Sequence, residues 1–303
     1  MLTHFSYGEF NMCYAENLRI FPNAFSTSHN ANMKKNPLVS VIIPTWNRAD
    51  MVKTALDSVF SQNYDNLEVI VVDDGSTDHT RDVLSLYPAV FSFFLSKHTG
   101  QCSTRNLGID ESQGKYIQLL DSDDALPPGI IKKHVEFLEA NPDIDFVYGD
   151  LVKVNNYVLD NPSIKQDPSF KPDVRKGTPI DFDMKKVLLQ NLNKPYNSIH
   201  SILTLFVPTE SYFKISTGTG LFRKTLVRYD PIIEQNWNCS ADVDFWGQLI
   251  MDGFKFAYLP GHALECREHS DNVTNHSGLH TKTRREVRQY IYNKLKQQSL
   301  NGM

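Results

Sequence analysis

Two acidic runs dominate the chemistry that this sequence can do. Asp73-Asp74-Gly75-Ser76 and Asp121-Ser122-Asp123-Asp124 concentrate five carboxylates in two short stretches. Carboxylates brought together repel one another unless a cation or a donor-rich ligand lies between them. Oxygen-only ligands of this kind suit a hard ion such as Mg²⁺ or Mn²⁺, and such ions usually accompany phosphate. A purely local reading competes, because Ser76, Asp78 and Asp124 are residue types that cap a following helix. A third run, Pro44-Thr45-Trp46-Asn47-Arg48, adds an indole ring and a guanidinium but no glycine. His262, His269, His276 and His280 follow no zinc spacing and define no metal site by themselves.

Each of the three runs closes a stretch that reads as a buried strand. Residues 39–43 are a β-branched apolar run stopped by Pro44, residues 67–72 end at Asp73, and residues 116–120 end at Asp121. Helical patterns lie between them. Met51, Val52, Ala55, Leu56, Val59 and Phe60 form one stripe over 49–62, and shorter helices fit 80–87 and 104–112. Another helix follows Pro127-Pro128 and stops at Asn141-Pro142, with strands expected at 90–95 and 145–148. This alternation predicts an α/β fold with a parallel sheet and right-handed crossovers. Ligands of such sheets bind at the carboxyl ends of the strands, where the three runs fall. Residues 150–200 lose the rhythm among several prolines and keep one helix over 183–192. Strands over 201–207 and 218–223 follow, then helices over 242–251 and 281–298, the last with Val287, Ile291 and Leu295 spaced by four.

Composition narrows the classes. Thirty-one Lys plus Arg against thirty-five Asp plus Glu leave a net charge of −4 over 303 residues, which gives no global claim on nucleic acid. Hydrophobic residues at 41% and charged residues at 22% exclude wholesale disorder. No apolar run approaches the roughly 18 residues of a membrane span. The first 32 residues carry Glu9 and Glu16 without a continuous apolar core, so they are no signal peptide, and Met33 is an alternative start. Cys13, Cys102, Cys239 and Cys266 lie far apart, as reduced thiols of a cytoplasmic chain do. The tail sets Lys282, Arg284, Arg285, Arg288, Lys294 and Lys296 against Glu286. It reads as a solvated helix face or as a peripheral contact with the inner face of an anionic membrane.

In order along the chain, Val39-Ser40-Val41-Ile42-Ile43-Pro44-Thr45-Trp46-Asn47-Arg48, Val71-Val72-Asp73-Asp74-Gly75-Ser76-Thr77-Asp78, Thr104-Arg105-Asn106-x-Gly108 and Leu120-Asp121-Ser122-Asp123-Asp124 resemble the motifs of the family 2 glycosyltransferases. The resemblance covers residues 38 to about 270. It implies a GT-A fold, Rossmann-like, with a mostly parallel central sheet flanked by helices. It implies inverting transfer from a nucleoside-diphosphate sugar, a UDP-sugar first, to a hydroxyl of a saccharide, glycolipid or glycoprotein acceptor, as in surface polysaccharide or glycoconjugate synthesis. Pro44, Thr45 and Trp46 would line the base pocket with Arg48 close by, and Asp73 would bind the uracil. Asp121 would meet the ribose, Asp123 the Mn²⁺ or Mg²⁺ on the diphosphate, and Arg105 a phosphate or the donor. Asp124 would contact the donor sugar or cap the next turn. Thr99-Gly100-Gln101 departs from the family's usual Asn-x-Gly.

The second half resembles the family's acceptor side. Ser216-Thr217-Gly218-Thr219-Gly220 precedes the basic pair Arg223-Lys224, which places Gly218 by a sugar. Ser240-Ala241-Asp242-Val243-Asp244 resembles an acidic helix start, with Ala241 in place of the usual first acid and Gln248 in place of a common Arg. Asp242 matches the catalytic base, with Asp244 as runner-up or sugar contact; a helix N-cap is the plainer role for Asp242. His269 falls in a segment similar to one that closes over the diphosphate or metal. The implied organisation is an extension over 1–37, a nucleotide-sugar half over 38–150, an acceptor half over 151–278 and a basic helix over 279–303. A phosphorelay receiver is excluded because the third strand ends in Leu95-Ser96-Lys97 rather than in an acceptor Asp. A sugar-1-phosphate nucleotidyltransferase would want a glycine-rich loop after the first strand, and a non-catalytic nucleotide-binding module would have dispensed with Asp123 or Asp242.

Overall fold

Apolar runs without alternation must be covered on both faces, and the first strand meets that demand completely. In the computed structural model, which describes residues 36–155, 173–176, 184–192, 215–225, 227–237, 241–269 and 281–301, β1 (Val39–Thr45) is buried at every position. The strand expected over 201–207, most of the 1–37 extension, Cys13, Cys239, His276 and His280 lie outside those residues. β2 (Leu67–Asp73), β3 (Val90–Phe94), β4 (Tyr116–Leu119), β5 (Phe146–Asn155), β6 (Asp173–Arg175), β7 (Gly220–Arg223) and β8 (Phe256–Glu268) complete one sheet. Its order is β3-β2-β1-β4-β7-β5-β6, with β8 along the other edge of β5. β1 pairs in parallel with β2 and β4, and β2 with β3, as the alternation of strands and helices requires.

Beyond β4 the expectation of parallel pairing fails. β7 is antiparallel to both β4 and β5, and β6 is antiparallel to β5. No crossover helix is needed to enter an antiparallel position. β5 and β8 are parallel again.

The helices α1 (Ala49–Phe60), α2 (Thr80–Ser85), α3 (Gln101–Glu111), α4 (Ile130–Ala140), α5 (Met184–Leu192), α6 (Pro231–Trp237), α7 (Ala241–Met251) and α8 (Thr281–Asn301) cover the sheet. Side chains of a strand alternate between faces, and β1 divides accordingly. Val39, Val41 and Ile43 pack with Val52 and Leu56 of α1 and Ile131 and Val135 of α4. Ile42 turns to the opposite core, with Ile109 of α3, Leu188 of α5, Phe245 and Leu249 of α7 and Ile291 of α8.

Four local expectations change. β1 continues through Pro44 to Thr45. The Ile42 carbonyl accepts from Leu120 on the β4 side, so Pro44, two residues on, directs its missing N–H past the end of β4, where no ladder bond is lost. Phe60 leaves the α1 stripe, is 45% exposed, and stacks on Tyr87 at 5.8 Å. α3 begins at Gln101, three residues early, behind Gly100 at φ 97°. β8 was not expected at all, because Pro260 and Gly261 interrupt its apolar pattern and its pairing with β5 is irregular there. The tail helix does form, and Val287, Ile291 and Leu295, spaced by four along α8, are buried. Among the described residues, no helix is long and apolar enough to cross a membrane.

His134 of α4 carries a prediction about acid stability. It is 1% exposed, neither ring nitrogen has a hydrogen-bond partner, and burial pushes its imidazole down to about 3. The unfolded chain protonates this ring near pH 6.5, so the native state binds fewer protons below that pH. Its contribution is complete above pH 6.5 and shrinks as pH falls toward 3, by about 2 kcal/mol at pH 5. His134→Leu should remove that part of the acid sensitivity. Urea unfolding at pH 7.5 and pH 5 checks it, and equal losses in parent and variant would refute it.

Candidate functional site

The carboxyl ends of β1 and β2 are adjacent in register, with Thr45 opposite Asp73. Pro44 and Thr45 are buried there, beneath the loop that follows. Asn47, at φ 49°, accepts from the Thr77 N–H at 2.8 Å through its side chain and donates its own N–H to the Ser76 hydroxyl at 2.8 Å. Arg48 donates its backbone N–H to the Thr80 hydroxyl at 3.1 Å. These bonds stitch the first loop to the second. Trp46 is left 45% exposed, its ring stacked on His98 at 4.1 Å.

The two acids after β2 do different work. Asp73 is fully buried; one oxygen accepts from the Ser76 N–H at 3.1 Å, and the other faces Arg81 Nε at 3.3 Å. Asp74 accepts from the Thr99 N–H at 2.7 Å, the Thr99 hydroxyl at 2.8 Å and the Gly100 N–H at 2.7 Å. His98 Nδ1 lies 2.7 Å away as well. Asp74 is therefore consumed in holding the loop ahead of α3, and it leaves the group of acids that could share a cation. That anchored loop also explains why α3 starts early.

α3 then places Arg105 at 3% exposure between two carboxylates from distant parts of the chain. Nη2 donates to Asp121 Oδ1 at 2.6 Å, and Nη1 donates to Asp242 Oδ1 at 3.1 Å. Its guanidinium lies 5.0 Å over the Tyr229 ring. Burial alone would lower its proton affinity, but Asp121, Tyr229 and Asp242 together hold it well above the ordinary value. Gln101 adds a donor to Asp121 at 3.2 Å. Asp242 sits inside the first turn of α7 rather than before it, with its side chain 41% exposed.

The second acidic run converges. Asp121, Asp123 and Asp124 each offer an oxygen within 4.8 Å of the others. β8 closes on this run: Ala125 and Glu265 exchange backbone bonds at 3.0 and 2.9 Å. The Arg267 N–H donates to Asp124 at 3.0 Å, Arg267 Nε to the Asp123 carbonyl at 2.9 Å, and His269 Nε2 lies 3.1 Å from Asp123 Oδ2. Burial, then the charges of Asp123 and Asp121, push the Asp124 carboxyl well above the usual range. Three convergent carboxylate oxygens, with one guanidinium among their partners, fit a hard divalent cation.

Two expected site residues are not brought here. Gly218 lies in a buried 3-10 turn, its carbonyl accepting from Gln118 at 2.9 Å, and an added Cβ would meet Leu264 at 2.9 Å. Close packing is the reason for glycine at that position. Asp244 has no exposed surface: Gln248 and Lys294 both donate to Oδ2, at 2.6 and 2.8 Å, and Oδ1 is buried without a partner, so burial keeps a sugar from it. Conversely, Gln101, Tyr229 and Arg267 join the site without having been expected. Gln101 was readable, standing next to Gly100 at the carboxyl side of β3; the other two depend on long-range pairing.

Comparison with known proteins agrees with this geometry. Residues 40–223 match the family described as Glycosyl transferase family 2. An uncharacterized glycosyltransferase of Rickettsia typhi is 31% identical over 250 residues, covering 80% of this chain and 69% of that protein. The putative teichuronic acid biosynthesis glycosyltransferase TuaG of Bacillus subtilis is 38% identical over 106 residues, 34% of this chain and 42% of its own length. Among solved structures, S. aureus TarS is similar with a TM-score of 0.55 at 18% identity, over 76% of this chain and 37% of that one. TarS 1-349 in complex with UDP-GlcNAc is similar with a TM-score of 0.55 at 18% identity, over 78% of this chain and 60% of that one. The chain thus spans less than half the length of TuaG and of the longer TarS chain. A match over more than half of the chain, with its motifs at the carboxyl edge of a mostly parallel sheet, makes this protein a member of glycosyltransferase family 2 with a GT-A fold.

Proposed function

We propose that the protein transfers a sugar from a nucleoside-diphosphate sugar, with UDP as the nucleotide, to an acceptor hydroxyl with inversion. The observation that carries this reading is the Arg105 bridge, which holds Asp121 of the converging acids and the exposed Asp242 on one guanidinium. In a single displacement, the acceptor oxygen bonds to the anomeric carbon while the bond from that carbon to the diphosphate breaks. Asp242 takes the hydroxyl proton, and the nucleoside diphosphate leaves with the electron pair. Asp123, with Asp121 and Asp124, would hold Mn²⁺ or Mg²⁺, and His269 would orient Asp123. Such an ion neutralises charge on the departing diphosphate.

The nucleotide end follows the same logic. The Trp46 ring offers a stacking face, and Asp73, fully buried here, becomes an acceptor for a base N–H once the half-exposed Arg81 side chain leaves its Oδ2. TarS 1-349 has been solved with UDP-GlcNAc, which supports UDP as the first nucleotide to test. Arg105 has both terminal nitrogens on carboxylates, so it positions Asp242 rather than gripping phosphate. Pro44 and the Arg48 backbone shape the loop, while the Thr45 hydroxyl, buried at the end of β1 without a hydrogen-bond partner, is left to meet the nucleotide. The acceptor is a saccharide, free or carried on lipid or protein, in glycoconjugate synthesis. For a lipid-linked acceptor, the basic side of α8 is the part that would meet an anionic membrane.

Two outcomes are expected. Titration calorimetry should show UDP binding that depends on Mn²⁺, and Asp123→Asn should abolish most of that dependence. Binding of equal strength in EDTA would overturn the metal assignment. Asp242→Asn should lower turnover by about 10² to 10⁴ while leaving UDP affinity within about twofold, as for a lost acid–base group. Losing one partner of a partly exposed pair should cost about 1 kcal/mol of stability. The anomeric configuration of the product, read by NMR with a panel of nucleotide sugars, should be opposite to that of the donor. Retention would rule out the single displacement.

A further inference from the structure

We infer that Lys294 of the C-terminal helix α8 is a positioning residue for the Arg105–Asp242 pair, an inference that rests on the transfer reading above. Its ammonium lies 2.8 Å from Asp230 Oδ2 and 2.8 Å from Asp244 Oδ2. Tyr290 of α8 adds a hydroxyl donor to Asp230 at 2.9 Å. The two acids flank a ring stack that supports the site. Tyr229, next to Asp230, lies parallel to Phe245, next to Asp244, with centroids 4.3 Å apart and planes 1° from parallel. The Arg105 guanidinium rests on the other participant's ring, 5.0 Å above Tyr229.

The Asn106 carboxamide locks the Tyr229 backbone to α3 in both directions, at 2.9 and 2.8 Å. Residue 229 is thereby fixed to the helix that carries Arg105. Asp244 is on α7, two residues after Asp242, so fixing residue 244 fixes the turn that presents the base. One ammonium joins these two points. α8 lies close against α7 beside this bridge: an added Cβ on Gly247 would come within 2.9 Å of Leu295. Lys294 touches no group placed against the substrate, so its effect on transfer runs through Tyr229, Phe245 and the turn at Asp242.

The test uses the full chain in three variants. Lys294→Arg keeps a cation between the acids and should retain most of the turnover. Lys294→Met keeps length without charge, and turnover should fall by about 10 to 100-fold, the effect of a small displacement of a reacting group. UDP affinity should stay within about twofold, since the donor-side carboxylates are not moved. Lys294→Met takes the cation from both acids; Asp230 keeps the Tyr290 hydroxyl and some exposure, whereas the Asp244 charge is left fully buried, so Lys294→Met combined with Asp244→Asn repeats the test without that charge. The double variant should melt close to the parent and still show the turnover loss. Its crystal structure should show Arg105 and Asp242 beyond about 4 Å, the limit of an ion pair. A double variant with parent-like turnover, or with the pair undisturbed, overturns the inference. The crystal structure decides the matter even if the parent transfers no sugar, a result that would refute the transfer reading separately.

Discussion

Arg105 is a cation with almost no contact with water, and a buried guanidinium is tolerable only when its charge is answered; both terminal nitrogens meet carboxylates, while Nε is buried without a partner. The answer comes from Asp121, 16 residues away, and Asp242, 137 residues away. Neither carboxylate could move far without stranding the charge, so the second half of the chain is obliged to return α7 to the end of β4. The Tyr229 ring under the guanidinium extends the same constraint to the segment before α6. A polar network of this sort specifies one arrangement more sharply than apolar packing does, because each wrong arrangement leaves a charge unpaired.

The acids of the site are sorted by what surrounds them rather than by their type. Asp74 meets four donors from the 98–100 loop and becomes a fastening. Asp121 shares a cation with Asp242, and Asp123 meets His269. Asp124 receives a backbone N–H, but burial, and then the charges of Asp123 and Asp121, drive its carboxyl upward. The protein's own donors therefore cancel the charge of the first acidic run and leave a remainder in the second. That remainder is the electrostatic basis for placing a divalent ion among Asp121, Asp123 and Asp124 and not beside Asp73.

The parallel half of the fold was legible because its signals are local. Residues 39–43, 67–72 and 116–120 are mostly apolar runs, each broken only once (by Ser40, Glu68 and Gln118), and each ends in the polar residues that a strand end in such a sheet displays. The acidic runs were legible for the same reason, although the separation of Asp74 from the others needed the 98–100 loop to be in place. β8 was not legible, because Pro260 and Gly261 break its pattern and its pairing partner is more than a hundred residues away. The pairing of Lys294 is equally nonlocal: nothing in a run of basic residues says that one of them faces two buried acids. Asp244 misled for the complementary reason, since an acid at a helix start looks the same whether it faces a cleft or another helix.

Strand direction explains why residues so far apart in sequence meet at one edge. β7 runs against both β4 and β5, so β4 and β5 must point the same way. β8 is parallel to β5, and its carboxyl end therefore rises on the side where β1, β2 and β4 end. That direction delivers Arg267 and His269 to Asp123 and Asp124, while Phe256, at the other end, begins opposite Phe146. Had β8 been antiparallel to β5, its last residues would lie at the far edge, and neither contact could form. The reversal at β7 is thus as necessary to the site as the acids are. It lets the chain cross back once, lay α6 and α7 against the helix that holds Arg105, and return along β8 to the cluster where it first ran out of donors.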